Sequence, residues 1–319
     1  MKLTEEIKHP WRELMSKRLI SMPYSEIEKL NSRGLLEAIA LGEGRTLAAE
    51  CVCSVTPLLS DVSNAEVVSS LSADFVVLNM FDVEEPYAAG LPACEKKDTI
   101  RMLKKLIGRP VSINLEPVEV GLGSENLWAM TKGRMATAEN ALKAKEMGVD
   151  MITITGNPGN NVTNEAIVSS IREIRNVLGD SIILITGKMH ASGNITEAGE
   201  KIIDKNMIKE FIEAGADIIM VPAVGTIPGL TLDIIHELIS YIHSYGKLAM
   251  TAIGTSQEGS DTETIRRIAF NCKEAGADIH HIGDSGYVGM ALPENILAYS
   301  IAIRGVRHTY HKIGQSINR

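Results

Sequence analysis

The chain has 319 residues, of which 45% are hydrophobic and 23% charged, a balance typical of a folded globular protein rather than a disordered one. Its 40 acidic and 32 basic residues give a formal net charge of -8, whereas a protein that binds the negatively charged backbone of a nucleic acid is expected to be positive. No apolar run approaches the roughly 20 residues that cross a bilayer, and the first residues lack a signal peptide's apolar segment. We therefore expect a cytoplasmic protein that binds neither nucleic acid nor membrane.

Residues 1–45 precede the first predicted strand and carry apolar side chains at helical spacing. The two apolar series are Trp11, Leu14, Met15 and Leu19, and then Ile27, Leu30, Leu35 and Ile39. Such helices need a surface to pack on. We interpret them as an N-terminal helical extension that covers the bottom or side of the following domain. The alternative is a subunit contact in a homo-oligomer.

From Thr46 onward, eight short apolar runs alternate with amphipathic stretches, the pattern of βα units that wind a parallel sheet. The predicted strands are 47–53, 74–80, 110–115, 150–155, 181–186, 217–221, 247–253 and 278–282. The predicted helices are 64–71, 97–107, 136–147, 164–178, 206–214, 232–245, 262–275 and one that begins at 293.

A short internal repeat leads into every second predicted strand. The four sequences are Ser72-Ala73-Asp74, Gly148-Val149-Asp150, Gly215-Ala216-Asp217 and Gly276-Ala277-Asp278. A glycine suits the left-handed residue that ends a helix, and the next two residues make a short turn into a strand. Four repeats of two βα units each make eight strands, whereas a doubly wound open sheet has no reason to show this alternation. We predict a (β/α)8 TIM barrel over 46–319, preceded by the helical extension 1–45.

The active site of such a barrel lies at the carboxyl ends of the strands and in the loops that follow them. Several predicted strands carry polar side chains there, although an unpaired buried polar group costs about 1–3 kcal/mol. A solvent-filled polar pocket therefore explains the polar residues at these positions more simply than an apolar core does. The candidate substrate-binding residues are Asn79, Asn114, Thr155, Asn157, His190 and Thr255.

Lys188 is the first catalytic candidate, because it lies where the apolar fifth strand opens into a loop. A partly desolvated lysine has a lowered pKa, and its neutral amine can form a Schiff base with a carbonyl compound. A charged lysine could instead hold a phosphate or a carboxylate. The structural alternative is a salt bridge to Glu116 or Glu50.

Glu116 is a candidate general base, and Glu50 is its candidate partner as a second catalytic carboxylate. Two carboxyl groups in one pocket shift each other's pKa values apart, so that one can act as a general acid and the other as a general base. With His190 and Asp284 they could alternatively bind a divalent metal. No tight ligand spacing is present in the sequence, so we predict no required metal or other cofactor.

The loops after the seventh and eighth predicted strands are rich in small residues, which let backbone N–H groups approach an anion. The candidate phosphate-binding residues are Gly254, Ser256, Gly283, Ser285 and Gly286. In these loops the sequence resembles phosphate-binding barrels of the aldolase and ribulose-phosphate-binding type. That resemblance implies that the two loops hold a substrate phosphate. Asp284 and Glu258 depart from it, because they bring negative charge into both loops.

These observations predict an enzyme that acts on a small anionic, phosphorylated carbonyl metabolite as a carbon–carbon lyase of aldolase type or as an isomerase. Two other functions stay open at this point. One is a non-catalytic barrel that binds a metabolite or regulates a partner, because a fold does not imply a function. The other is a metal-dependent hydrolase or lyase.

Overall fold

A computed structural model of the chain describes residues 17–118, 130–156, 162–189, 198–254 and 256–319. Its eight strands form one closed parallel barrel in the order β1 to β8, with β8 paired to β1. The predicted (β/α)8 barrel is confirmed, and each strand agrees with its prediction to within two residues at both ends. The strands are β1 Thr46–Val52, β2 Phe75–Asn79, β3 Val111–Leu115, β4 Met151–Ile154, β5 Ile183–Gly187, β6 Ile218–Pro222, β7 Leu248–Ile253 and β8 Ile279–Ile282.

Helices alternate with the strands, and seven of the ten described α-helices begin at a residue whose side chain accepts a hydrogen bond from the first helical turn. Ser63 and Glu66 form a capping box at one of these starts, and Asp204 and Asp261 cap two others. None of the described helices combines the length and apolar character needed to span a bilayer. The helices are α1 Tyr24–Ile27, α2 Ser32–Ala40, α3 Asn64–Ser70, α4 Thr99–Ile107, α5 Ala138–Met147, α6 Asn164–Leu178, α7 Lys205–Ala214, α8 Leu232–Ser244, α9 Thr262–Glu274 and α10 Pro293–Gly314.

The repeat that precedes the even-numbered strands has the left-handed backbone that its sequence predicts. The first residue of each copy has a positive φ: 84° at Ser72, 95° at Gly148, 116° at Gly215 and 103° at Gly276. Three copies have glycine there, which adopts this conformation without a steric cost. The chain therefore turns from helix to strand in the same way four times.

The aspartate of each repeat joins its own strand to the preceding one, a role that the sequence pattern did not reveal. Each side chain accepts a hydrogen bond from a backbone N–H of the preceding odd-numbered strand. The contacts are Leu47 N to Asp74 Oδ2 at 2.8 Å, Val111 N to Asp150 Oδ2 at 2.9 Å, Leu184 N to Asp217 Oδ2 at 3.0 Å and Ala249 N to Asp278 Oδ2 at 2.8 Å. These bonds satisfy strand-end donors that the ladder leaves free.

Helices precede β1, as predicted, and they close the amino-terminal end of the barrel. Leu35 and Ile39 of α2 belong to the same buried cluster as Ala48 and Phe75, which lie inside the barrel. The division into an extension of 1–45 and a barrel of 46–319 stays a prediction. The apolar series that contains Trp11 falls mostly outside the described residues.

The barrel interior changes from apolar to polar along the strands. Near their amino ends the strands fill the interior with Phe75, Met151, Ile183, Ile218 and Ile279. Two or four residues later, inward positions of several strands carry polar side chains instead. Because side chains alternate between the two faces of a strand, this places a polar layer at the carboxyl end of the barrel.

Candidate functional site

A cavity of about 380 Å³ opens at the carboxyl ends of the strands, where barrel enzymes carry their active sites. Its wall is acidic on the side of β1, β7 and β8, and consists of amides and hydroxyls on the side of β2 to β4. The structure brings together nine residues that the sequence singled out. They are Glu50, Asn79, Asn114, Thr155, Ser256, Gly283, Asp284, Ser285 and Gly286.

Glu50 projects into the cavity from β1 and is held from two sides. Its Oε1 accepts a hydrogen bond of 2.9 Å from Asn79 Nδ2 on the neighbouring strand β2. Its Oε2 lies 3.4 Å from His281 Nε2 on the other neighbouring strand, β8. The closed barrel makes both contacts, because β1 pairs with β2 and with β8.

Glu258 is a strongly perturbed carboxyl group of the cavity. It lies on the short 3-10 turn Gln257–Gly259 after β7, and only 7% of the residue is exposed. Burial, with the nearby charges of Asp284 and Glu50, raises the pKa of Glu258 to about 7. Its Oε2 has no hydrogen-bond partner among the described residues. The pKa of Glu258 therefore lies close to neutral pH, and one of its buried oxygens has no partner in the described part of the chain.

Asp284 follows β8 and shapes the loop that was predicted to bind phosphate. Burial and the charge of Glu50 raise its pKa. Its Oδ1 accepts a 2.7 Å hydrogen bond from the N–H of Gly286, while the N–H of Ser285 donates to Met290 O at 3.1 Å. Two of the N–H groups expected to bind a phosphate are thus used within the loop.

The opposite wall is uncharged. Asn114 Nδ2 donates to Asn79 Oδ1 at 3.3 Å, and Thr153 shares a 2.9 Å hydrogen bond with the Ser112 hydroxyl. Asn114 Oδ1 and Thr155 Oγ1 have no hydrogen-bond partner among the described residues. Within the described ranges, the wall therefore has one acceptor and one hydroxyl group that no other residue uses. Below it, the apolar surface of the cavity is formed by Val77, Met189, Met220, Met250 and Ala252.

Lys188 does not line the cavity that the described residues form. Ile183, Ile185 and Met189 belong to the cluster inside the barrel, and Lys188 lies between them in sequence. The sequence analysis took Lys188 as a catalytic candidate of the cavity, but the inward positions of β5 are the odd-numbered ones. Thr186 Oγ1 donates to Ile154 O at 3.0 Å, and Lys188 is buried outside the cavity lining. Apolar spacing alone could not set this phase, because β5 is apolar on both faces.

Glu116 lies outside the cavity lining as well, since it is buried in an ion pair with Arg134 at 2.5 Å. The positive charge of Arg134 balances the carboxylate that the sequence analysis proposed as a general base. Gly254 is likewise absent from the described lining. Three further candidates, Asn157, His190 and Thr255, lie outside the described residues.

Sequence reasoning missed His281 and Glu258 as site residues. On β8 the inward positions are 279, 281 and 283, so His281 faces the cavity and His280 faces the helices. His280 Nε2 lies 3.2 Å from Gly44 O, and burial lowers the pKa of His280 to about 3. Strand alternation counted from Ile279 could have separated the two histidines. Within the described ranges, no three His, Cys, Asp or Glu side chains are grouped as metal ligands.

Asn295 positions the turn that carries Glu258. It is fully buried near the start of α10, and its Nδ2 donates to Glu258 O at 2.9 Å and to Ser260 O at 2.7 Å. Gly259 also packs against the β8 loop, since a Cβ there would lie 3.6 Å from Ser285 Cβ. The position of the Glu258 carboxyl group therefore depends on α10.

We expect Asn295→Ala to destabilise the protein by about 1–3 kcal/mol, because two buried carbonyl groups lose their donor. It should also reduce any reaction that depends on Glu258, because the turn loses its support. Chemical denaturation and the proton-exchange assay described below measure the two effects. Asn206→Ala, at an exposed position of α7, is the control and should change neither. An unchanged exchange rate in a destabilised Asn295→Ala protein would mean that Asn295 is only structural.

A family model described as "Domain of unknown function (DUF7916)" matches residues 20–319 of the chain. The match covers the described helices before β1 and the whole barrel. No curated protein matches the sequence.

Solved structures of barrel enzymes resemble the chain at low sequence identity. A Schiff-base-forming fructose-1,6-bisphosphate aldolase matches with a TM-score of 0.52 and 14% identity, over 84% of this chain and 98% of that chain. A 2,3-dimethylmalate lyase of the PEP mutase/isocitrate lyase superfamily matches with a TM-score of 0.49 and 14% identity, over 79% of this chain and 81% of that chain. Thiamine phosphate pyrophosphorylase from Pyrococcus furiosus matches with a TM-score of 0.47 and 10% identity, over 82% of this chain and 97% of that chain. The likeness to the fructose-1,6-bisphosphate aldolase confirms the predicted resemblance to aldolase-type barrels at the level of the fold.

Proposed function

We propose that this chain, which belongs to the DUF7916 family, is an enzyme that moves a proton on a carbonyl compound, as a carbon–carbon lyase or an isomerase. The observation that carries the proposal is Glu258, a carboxyl group in the barrel cavity with a pKa of about 7 and an oxygen without a hydrogen-bond partner in the described structure. A general base works best when its pKa lies near the operating pH. Both reaction types begin when a base removes a proton, from the carbon next to a carbonyl in an isomerase and from a hydroxyl group in a lyase.

Each wall of the cavity has a part in this reaction. Ionised Glu258 takes a proton from the carbon next to the substrate carbonyl, and the electron pair moves to the carbonyl oxygen. The Thr155 hydroxyl, which has no described partner, donates a hydrogen bond to that oxygen as negative charge develops on it. In an isomerase, the hydroxyl proton on the carbon that lost its hydrogen passes to this oxygen, and Glu258 returns its proton to the former carbonyl carbon as the new carbonyl forms. In a lyase, Glu258 instead takes the proton of a hydroxyl group, whose carbon becomes a carbonyl as the adjacent carbon–carbon bond breaks. The electron pair of that bond forms the enolate of the other fragment, and Glu258 returns its proton to the enolate carbon.

The acidic wall of the cavity disfavours the phosphorylated substrate that the sequence predicts. A phosphorylated compound brings its own negative charge, which Glu50 and Asp284 would repel. Among the described residues that line the cavity there is no Lys or Arg to offset this repulsion. The cavity therefore supports a substrate that is neutral or positively charged at the end it inserts. A phosphate on the substrate and a cytoplasmic setting stay predictions.

Exchange of substrate hydrogen for solvent deuterium tests the proposed reaction without knowledge of the full substrate. The purified protein is incubated in D2O with small hydroxy ketones, amino ketones and keto acids, with and without phosphate, and proton NMR follows the signal next to the carbonyl. Exchange by the wild type but not by Glu258→Gln would support the proposal. Equal exchange by both proteins, or no exchange of any compound, would contradict it. Binding without exchange would favour a barrel that only binds its ligand.

A further inference from the structure

His281 is the one imidazole among the described residues that line the cavity, and the reaction proposed above gives it no part. It lies on β8, which pairs with β7 and with β1, so its neighbours on the cavity wall are Glu258 after β7 and Glu50 on β1. Only 6% of the residue is exposed. Burial raises the pKa of Glu258, and the charge of His281 opposes that rise, so the two groups are close enough to interact.

The two ring nitrogens of His281 have different surroundings. Nε2 lies 3.4 Å from Glu50 Oε2, while the other oxygen of Glu50 accepts a 2.9 Å hydrogen bond from Asn79 Nδ2. Nδ1 is buried and has no hydrogen-bond partner within the described structure. A carboxylate beside one ring nitrogen favours the tautomer with hydrogen on that nitrogen, which leaves a lone pair on the other. Nδ1 is therefore the nitrogen that can take up a proton from a molecule bound in the cavity.

The isomerase reaction contains a proton transfer to which no residue has been assigned. Once Glu258 has taken the hydrogen of one carbon, the hydroxyl proton on that carbon must reach the oxygen of the former carbonyl. The other two acidic side chains of the described lining already accept hydrogen bonds, Asp284 from the N–H of Gly286 and Glu50 from the amide on β2. His281 has an acceptor without a partner in the described ranges, and an imidazole both takes up and gives up a proton readily.

We propose that His281 carries this proton between two substrate oxygens, and that the substrate is an α-hydroxy ketone or α-hydroxy aldehyde which the enzyme isomerises. Nδ1 takes the hydroxyl proton, whose oxygen keeps the electron pair, and gives the proton to the oxygen of the former carbonyl. That electron pair then forms the new carbonyl, while the pair of the carbon–carbon double bond takes the proton held by Glu258. Both residues end as they began.

Glu50 is a positioning residue in this step. Its carboxylate faces Nε2 and stabilises the positive charge that the imidazole carries while it holds the proton. The inference rests on the proposed function, because it assigns a second residue and a substrate class to the same reaction.

Two rates test the role of His281, and NMR measures both at pH 7.5. Conversion of 2-hydroxypropanal to hydroxyacetone requires the complete isomerisation. Exchange of the hydroxymethyl hydrogens of hydroxyacetone in D2O requires only the removal of hydrogen from carbon. The proteins compared are the wild type, His281→Gln and Glu50→Gln. His311→Gln, at an exposed position of α10, is the matched control.

We expect His281→Gln to lower the conversion rate by about 100-fold or more, because glutamine is polar but cannot carry a proton. Conversion should fall at least about tenfold more than exchange, since Glu258 still removes the hydrogen from carbon. Glu50→Gln should lower conversion by about tenfold, because one oxygen then serves both Asn79 and His281. His311→Gln should change neither rate.

The outcomes separate this inference from the proposed function. Equal losses of conversion and exchange in His281→Gln would indicate a structural role and overturn the inference, as would conversion that this variant retains. Exchange by the wild type and not by Glu258→Gln, without any conversion of 2-hydroxypropanal, would support the proposed function and overturn the inference. Conversion without exchange, lost in His281→Gln, would support the role of His281 and contradict proton removal by Glu258. Neither conversion nor exchange by the wild type would contradict both.

Discussion

Glu258→Gln is expected to lower the rate of substrate proton exchange at pH 7.5 by about 100-fold or more, within the range that general acid–base groups contribute. Glutamine has nearly the same shape as glutamate and fits the same turn, but it cannot take up a proton. NMR exchange rates on the most active compound of the screen measure the effect. Glu263→Gln, an exposed glutamate five residues further along the chain, is the matched control and should keep the wild-type rate.

The pH dependence of the exchange rate tests whether Glu258 is the base. Burial and the carboxylates of Asp284 and Glu50 raise its pKa from 4.5 to about 7, and His281 acts in the opposite direction. A base must be ionised, so the wild-type rate should rise about tenfold per pH unit below pH 7 and level off above it. Glu258→Gln should lack this rise. A wild-type rate that falls as the pH passes through 7 would contradict the assignment as base.

Loss of activity in this variant can be separated from loss of fold. The folded state holds the proton of Glu258 more tightly than the unfolded state, whose pKa is near 4.5. The stability linked to this proton is fully present below pH 4.5 and is lost as the pH rises through about 7. At pH 8 the wild type must keep a buried carboxylate that glutamine replaces with a neutral group. Glu258→Gln should therefore be at least as stable as the wild type at pH 8.

Asp74→Ala is expected to destabilise the protein by about 3–5 kcal/mol, the usual cost of removing one partner from a buried ion pair. Asp74 is completely buried before β2 and forms an ion pair with the buried Arg304 of α10. Lys312 Nζ lies 3.5 Å from its other oxygen. Burial lowers the pKa of Lys312 to about 7, so Lys312 can lose its proton when Asp74 is absent. The guanidinium of Arg304 stays charged without a carboxylate.

Chemical denaturation of three variants checks this prediction. Asp74→Asn keeps an acceptor for the N–H of Leu47 but removes the charge, so its loss of stability should be smaller than that of alanine. Asp180→Ala removes a fully exposed carboxylate 3.6 Å from Arg175 and should change stability by less than about 0.5 kcal/mol. A loss at Asp74 no greater than at Asp180 would show that the buried pair does not hold α10 to the barrel.

The local pattern of the sequence determined the architecture. Alternating apolar runs and amphipathic stretches located all eight strands, because the two hydrophobic periods require no knowledge of distant residues. The glycine-containing repeat before Asp150, Asp217 and Asp278 predicted left-handed turns for the same local reason. The expectation that polar residues of the predicted strands line a pocket at the carboxyl end of the barrel agrees with the positions of Glu50, Asn79 and Asn114.

Only the tertiary structure decided which polar residues meet. Lys188 lies outside the described cavity lining because pairing with β4 and β6 sets the phase of β5, which local spacing could not do for a strand that is apolar on both faces. The charge of the Glu116 carboxylate is balanced by Arg134, which lies eighteen residues away in the sequence. Asp74 has the same local sequence role as its three counterparts, yet it alone binds Arg304 of the last helix, 230 residues away. Contacts between distant segments form when the barrel closes, so they set the charge and pKa of the cavity and cannot be inferred from local spacing.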